Sequence, residues 1–269
     1  MIPYSFTYKR AGSIAEAEGL FASGSDAKFL AGGQTLIPTM KQRLAGPAQL
    51  IDISALAELS FIRAGDRSIA IGSGTKHATV ANSTEIRHLI PALAELAEMI
   101  GDPAVRHLGT LGGSLANNDP AADYPAAALA LAASIRTTRR TIAADDFFTG
   151  MFATALEEGE IILDATFPVP ELAGYAKFPN PASRYALAGV FVAKTKKGVR
   201  VTVTGAGASV FRVPEMEAAL ERSFATGSLA GIQVSSGDLN SDIHASAEYR
   251  AHLVTVMAKR AVAAALGRH

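Results

Sequence analysis

A chain of 269 residues, 49% hydrophobic and 19% charged, is long enough to bury a substantial core as one large domain or several small ones. Its 25 basic residues balance its 25 acidic ones, so it lacks the uniform charge on which non-specific nucleic-acid or anionic-membrane binding depends. Having no cysteine, it carries no disulfide, thiolate zinc site, iron–sulfur ligand or cysteine nucleophile of its own.

In chain order, the start Met1-Ile-Pro-Tyr-Ser-Phe-Thr-Tyr-Lys-Arg lacks the basic, apolar and small-residue order of an export signal, which predicts a cytoplasmic protein. Ser13 to Ala22 reads as a short helix, and Lys28 to Ala31 as a strand entering the turn at Gly32-Gly33. Pro38 suits a first helical turn that Thr39 to Leu44 continues until Gly46-Pro47. Gln49 to Ile53 is the next strand, completing a small βαβ unit. A second unit begins near Leu56, with a strand at Ser68 to Ile71. A long helix is expected after it: Asn82 and Glu85 resemble a capping box, and Ile86, Leu89, Ile90, Leu93, Leu96, Ala97 and Ile100 share one face until Gly101.

The most apolar tract, Ala126 to Ile135, is shorter than the roughly 20 residues a helix needs to cross a bilayer and reads as a core helix. Asp145-Asp146 reads as a turn before Phe147-Phe148, and the scattered histidines do not form a metal site. Glu160 to Phe167 and Gly198 to Gly205 read as strands. In the second, Val199, Val201 and Val203 alternate with Arg200, Thr202 and Thr204, as in an antiparallel sheet with one wet face. Pro168-Val-Pro170 is the expected major boundary. It divides a domain of residues 1–170, with subdomains of about 1–55 and 56–170, from a C-terminal domain of 171–269. Helices are expected at Pro214 to Phe224 and Ala245 to Leu266, the latter with a stripe of Tyr249, Leu253, Val256, Met257, Arg260 and Ala264.

Two segments carry the chemistry: Ala31-Gly-Gly-Gln-Thr35 and Thr110-Leu-Gly-Gly-Ser114, each a glycine pair beside hydroxyl side chains. Without Cβ atoms, consecutive backbone N–H groups can converge on one anion, and Thr35, Thr110 or Ser114 can add a hydroxyl donor. Either segment alone is equally well a tight turn; the two together favour a diphosphate. Neither is the Gly-x-Gly-x-x-Gly of a dinucleotide fold nor the Gly-x-x-x-x-Gly-Lys of a triphosphatase. Asp123, ahead of the apolar tract, suits either of two jobs: accepting hydrogen bonds from polyol hydroxyls, or capping a helix with Pro125 in its first turn.

Ala31 to Lys41 and Arg106-His-Leu-Gly-Thr-Leu-Gly-Gly-Ser-Leu-Ala-Asn-Asn-Asp-Pro-Ala-Ala-Asp-Tyr-Pro-Ala126 resemble the paired flavin motifs of the FAD-carrying medium subunits of molybdenum hydroxylases, the xanthine dehydrogenase and aerobic carbon monoxide dehydrogenase type. The likeness continues through Lys177 to Lys194, Val201 to Gly207 and Ser246 to Arg250; Leu108 departs from it, where the family often has a basic or polar residue. The resemblance implies an α+β fold: a PCMH-type FAD-binding domain of two α/β subdomains, followed by a C-terminal domain with a small antiparallel sheet and helices. It also implies that Leu30, Ala31, Gly32, Gly33, Gln34, Thr35 and Leu36 meet the FAD pyrophosphate from one side, and Thr110, Leu111, Gly112, Gly113 and Ser114 from the other. Asp123 would contact the ribityl or neighbouring hydroxyls, with Asn118 and Ala122 as further cofactor-binding residues and Ile100, Ile162 and Lys177 as further flavin contacts.

The function so implied is an electron relay. A large molybdopterin subunit would hydroxylate the substrate, and a small subunit with [2Fe–2S] clusters would pass electrons to FAD, the whole forming a dimer of heterotrimers. Quinone, dioxygen or NAD would be the final acceptor, and a carbon monoxide dehydrogenase medium chain is one such protein. No catalytic side chain or metal ligand is needed on this chain. Two other readings fit the same residues: a stand-alone FAD-dependent oxidase or dehydrogenase, and a non-redox nucleotide-binding or interaction protein whose glycine turns serve only folding.

Overall fold

The computed structural model describes residues 2–267 and has an α+β architecture built on three main sheets. The first is parallel, in the order β1 (Thr7–Arg10), β3 (Gln49–Asp52), β2 (Ala27–Leu30). Helix α1 (Ile14–Ser23) joins β1 to β2; its N-cap Ser13 accepts from the Glu16 amide, and the Glu16 carboxylate accepts from the Gly12 amide. The short helix α2 (Leu36–Lys41) lies between β2 and β3, so the expected βαβ unit is present.

The second sheet begins with β4 (Ile62–Ala64) and β5 (Ser68–Gly72). Helices α3 (His77–Asn82), α4 (Thr84–Leu89), α5 (Pro91–Glu98), α6 (Pro103–Leu108), α7 (Leu111–Asn117) and α8 (Tyr124–Ala130) follow. The chain then returns through β6 (Ser134–Thr137), β7 (Thr141–Ala143), the single turn α9 (Ala144–Phe147), a small hairpin of β8 (Phe148–Gly150) and β9 (Ala153–Thr154), and the strand β10 (Ile162–Pro168). The strand order is β4-β5-β10-β6-β7, antiparallel throughout. The third sheet is an antiparallel meander, β11 (Leu172–Pro179), β12 (Ala186–Thr195), β13 (Gly198–Thr204) and β14 (Phe211–Arg212), covered by α10 (Pro214–Arg222) and the long α11 (Ala247–Ala265). No described helix is long and apolar enough to cross a membrane.

Four sequence expectations are corrected. The long helix after Asn82 is two helices, because Pro91 has no N–H to give and starts a new helix at its first position. Asn82 ends α3 with its side chain on the Ala78 carbonyl, and the cap of α4 is Ser83, which accepts from the Ile86 amide. The tract Ala126 to Ile135 is helical only to Ala130; Ala132 turns with φ +51°, and Ile135 sits in β6. On α11, Tyr249 and Arg260 face outward, whereas Arg250 is buried and donates to the Leu187 and Gly205 carbonyls and to Asp242.

The fourth correction bears on the site. The third sheet has no wet face: Thr202 and Thr204 are as buried as the neighbouring Val201 and Val203. One face of the meander packs its valines against α10 and α11. From the other, Tyr175, Phe191 and Ala193 join the core of the second sheet, and Thr202 and Thr204 meet the chain around α8. Burying these hydroxyls is tolerable because each finds a carbonyl: Thr202 donates to Ala126, and Thr204 to Ala122 and Pro120. The Gly205 amide also donates to the Pro120 carbonyl, at 2.8 Å.

Candidate functional site

The first glycine segment leaves the end of β2. Gly33 adopts φ +68°, a backbone conformation that favours glycine, and the chain then enters α2. Among the described residues no acceptor partners the amides of Gly32, Gly33, Gln34 or Thr35, so four consecutive donors are free. The Gln34 side chain folds back onto the Gly32 carbonyl.

The second segment is not a loop but the first turn of a helix. Thr110 is the N-cap of α7, its hydroxyl oxygen accepting from the Gly113 amide. The Leu111, Gly112 and Ser114 amides are also taken, donating to the Thr75, Ser73 and Thr110 carbonyls respectively. What this segment offers a ligand is therefore the hydroxyls of Thr110 and Ser114, the bare surface at Gly113, and the positive end of a helix. The two segments touch. A Cβ on Gly32 would lie 2.3 Å from the Leu108 carbonyl oxygen and 2.7 Å from Gly109 Cα, so glycine at 32 is what lets them meet.

Both segments line one cavity of about 680 Å³. Of the residues the sequence nominates, Leu30, Ala31, Gly32, Gly33, Gln34, Thr35, Leu36, Ile100, Thr110, Gly112, Gly113, Ser114, Ala122, Asp123 and Ile162 lie along it. Leu111, Asn118 and Lys177 do not. Leu111 is fully buried in the core under α7. Asn118 ends α7 in a left-handed turn, φ +41°, and its amide donates to the Gly150 and Ala153 carbonyls of the small hairpin, both at 2.8 Å. Lys177 stands behind Asp123, 2.9 Å from its Oδ1, with a side chain only 2% exposed.

Asp123 makes no helix-capping hydrogen bond, which settles against the capping role. Its Oδ1 takes the Tyr175 hydroxyl and the Lys177 ammonium, leaving Oδ2 uncommitted in a residue that lines the cavity. Burial pushes its carboxyl above the usual range, opposed by Lys177 and Tyr175. Nearby Asp119 is raised by burial too, against the pull of the Ala121 amide. Tyr185, from the tight turn between β11 and β12, is raised by burial and by these two carboxylates.

Other lining residues were not singled out from the sequence. His77 is buried at the head of α3, with Nδ1 lacking a partner and its ring against Tyr124; burial, then the Arg106 charge, lowers its pKa to about 4. Ser73, Asp119 and Tyr185 also line the cavity. Asp119 and Tyr185 lie inside the quoted flavin motifs, whereas His77 carried no local signal, being one histidine among several scattered ones.

The sequence profile of the family described as "FAD binding domain in molybdopterin dehydrogenase" matches residues 4–170. The chain is 36% identical to the nicotine 6-hydroxylase medium subunit of Paenarthrobacter nicotinovorans, over 97% of each chain. It is 34% identical to the carbon monoxide dehydrogenase medium chain of Hydrogenophaga pseudoflava, over 100% of this chain and 99% of the other. Among solved structures, it matches a chain of reconstituted CO dehydrogenase from Oligotropha carboxidovorans with a TM-score of 0.90 and 32% identity, both chains covered in full. A chain of quinoline 2-oxidoreductase from Pseudomonas putida 86 gives a TM-score of 0.88 at 26% identity, covering 100% of this chain and 99% of that one.

Proposed function

Because this chain belongs to the family of FAD-binding medium subunits of molybdenum hydroxylases, we propose that its cavity grips the FAD pyrophosphate between Gly32–Thr35 and the first turn of α7, with ribityl hydroxyls on Asp123. The chain is the FAD subunit of a molybdenum hydroxylase complex such as CO dehydrogenase, and so part of an oxidoreductase. The observation that carries the site assignment is the row of four unpartnered amides opening on the same cavity as the uncommitted Asp123 oxygen. Main-chain donors suit phosphate oxygens, and a carboxylate, which only accepts, suits hydroxyls. A volume of about 680 Å³ is within the range of sites for molecules of this size.

Bound FAD supplies a centre that takes electrons singly and releases them in pairs, joining one-electron clusters to a two-electron acceptor. The chain's own residues would do the rest. The amides of Gly32–Thr35 and the Thr110 and Ser114 hydroxyls neutralise phosphate charge, Ile100 and Ile162 supply apolar walls, and Asp123 fixes the polyol. In this reading Leu111, Asn118 and Lys177 support the site from behind rather than touching the cofactor. Residues 1–170 form the FAD-binding domain and 171–269 the C-terminal domain.

The partners in this proposal are a large molybdopterin subunit that oxidises the substrate and a small subunit whose [2Fe–2S] clusters feed electrons here, assembled as a dimer of heterotrimers in the cytoplasm. The relatives are named medium subunits or medium chains of such enzymes. Their names span nicotine and carbon monoxide, consistent with a substrate chosen on another subunit. The acceptor is a quinone, dioxygen or NAD. Purification with the partner subunits, removal of flavin and titration with FAD and FMN tests the site. FAD should bind far more tightly, since FMN lacks the pyrophosphate bridge; equal affinity would remove the case for a pyrophosphate grip.

A further inference from the structure

Lys177 is a buried cation whose neighbours are fully accounted for. Its Nζ lies 2.9 Å from Asp123 Oδ1 and donates to the Met99 carbonyl at 2.7 Å, and its side chain is 2% exposed. The Tyr175 hydroxyl, two residues earlier on β11, donates to the same Asp123 oxygen at 2.5 Å. Neither Lys177 nor Tyr175 lines the cavity, although Asp123 does. Met99 caps α5 immediately before Ile100 and Gly101, which form another part of the cavity wall. One ammonium thus ties two walls together from behind.

We propose that Lys177 is a positioning residue for the cofactor: it does not touch FAD, but holds the Asp123 carboxylate turned so that Oδ2 meets the polyol hydroxyls. The proposal rests on the reading of Asp123 given above and assigns a cause to it. A carboxylate this deeply buried and without a cation takes up a proton rather than remain charged, and a neutral acid is a weaker acceptor for hydroxyls. Burial is the largest influence on Asp123, and the Lys177 charge is the largest opposing one.

The other titratable groups around Asp123 do not replace it. Tyr175 on β11, Tyr124 next in the chain and Tyr185 from the turn before β12 are hydroxyls whose own ionisation is suppressed by burial first and by the Asp123 charge besides. Asp119 is a further acid in the same segment. On β13 and α9, Arg200 is paired with Asp145 and the Leu129 carbonyl. Among the described residues, Lys177 is the one cation paired with Asp123.

The test uses the complex purified with its partner subunits, freed of flavin and titrated with FAD across a pH series, for Lys177→Met, Asp123→Asn and the double variant. Lys177→Met should bind FAD about ten- to a hundredfold more weakly near neutral pH. The midpoint at which affinity falls on acidification should move up by about 1–3 pH units, with affinity recovering on the alkaline side. Asp123→Asn should weaken binding without that pH dependence, and adding Lys177→Met to it should change nothing further.

A Lys177→Met loss that is the same at every pH, or that adds in full to the Asp123→Asn loss, would overturn the proposal and mean that the lysine acts directly or through packing alone. Asp123→Asn with undiminished affinity would instead overturn the reading of Asp123 itself, and the proposal with it. Should Lys177→Met not fold, Lys177→Gln keeps a donor for Met99 without the charge and is expected to show the same pH shift; an unshifted midpoint in that variant would be equally decisive against the proposal.

Discussion

The Thr204 hydroxyl donates to the Ala122 carbonyl at 2.6 Å, linking the end of β13 to the residue before Asp123 across a large separation in sequence. The same hydroxyl reaches Pro120, and Thr202 reaches Ala126, so the segment carrying Asp119 and Asp123 takes its shape from the sheet behind it.

Thr204→Val keeps the side-chain shape and removes the donor. The buried Ala122 carbonyl then has no hydroxyl to accept from, which should destabilise the protein by about 1–3 kcal/mol in chemical denaturation. FAD affinity should fall in parallel, and Thr204→Ser should restore both. A valine variant of full stability would show that the sheet does not hold this segment.

The two glycines of α7 should separate folding from binding. Gly113 is exposed in the cavity, and a Cβ there would meet only the Thr110 hydroxyl, at 3.0 Å, so Gly113→Val should fold normally and fail to retain FAD. At Gly112 a Cβ would come within 2.4 Å of Ser73 Cβ and 2.9 Å of Ser73 main-chain oxygen, so Gly112→Val should instead lower the yield of folded protein. Flavin absorbance per mole of folded chain, measured beside circular dichroism, distinguishes the two.

His77 should make stability sensitive to acid. Its pKa in the folded protein is lowered from 6.5 to about 4, so the unfolded chain binds the proton first. The sign is therefore a stability that is full above pH 6.5 and declines as pH falls toward about 4, by about 3 kcal/mol in all. His77→Asn should flatten that part of the urea-denaturation pH profile; an unchanged slope would show that His77 is not the group responsible.

Asn118→Gly keeps a residue comfortable at φ +41° while removing both bonds to the Gly150 and Ala153 carbonyls. Protease cleavage within the hairpin should accelerate, with FAD affinity changing far less. The reverse pattern, a firm hairpin and lost flavin, would return Asn118 to the cofactor.

Legibility in the sequence followed the range of the interactions. The glycine segments could be recognised because their chemistry is contiguous, and β2, α2 and β3 because proline and glycine punctuate them locally. Helices α4 and α5 merged in the reading because Ile86, Ile90, Leu93 and Leu96 continue one buried face through the break at Pro91. Ala126 to Ile135 gave no sign of its turn because helix and strand are alike in being wholly apolar when buried on all sides. Thr202 and Thr204 alternated with valines as surface residues do, yet their partners are carbonyls far away in the chain. Lys177 and His77 had the same difficulty: what each does is set by a neighbour that the local sequence does not reveal.

The linker at Pro168–Pro170 looks like a natural place to shorten the chain or to exchange one half for a relative's. Separation there would strip Pro120, Ala122 and Ala126 of their donors and leave Asp123 with no counter-ion. Neither fragment would inherit a finished pocket, so any such exchange must recreate these contacts across the join before the cavity is whole.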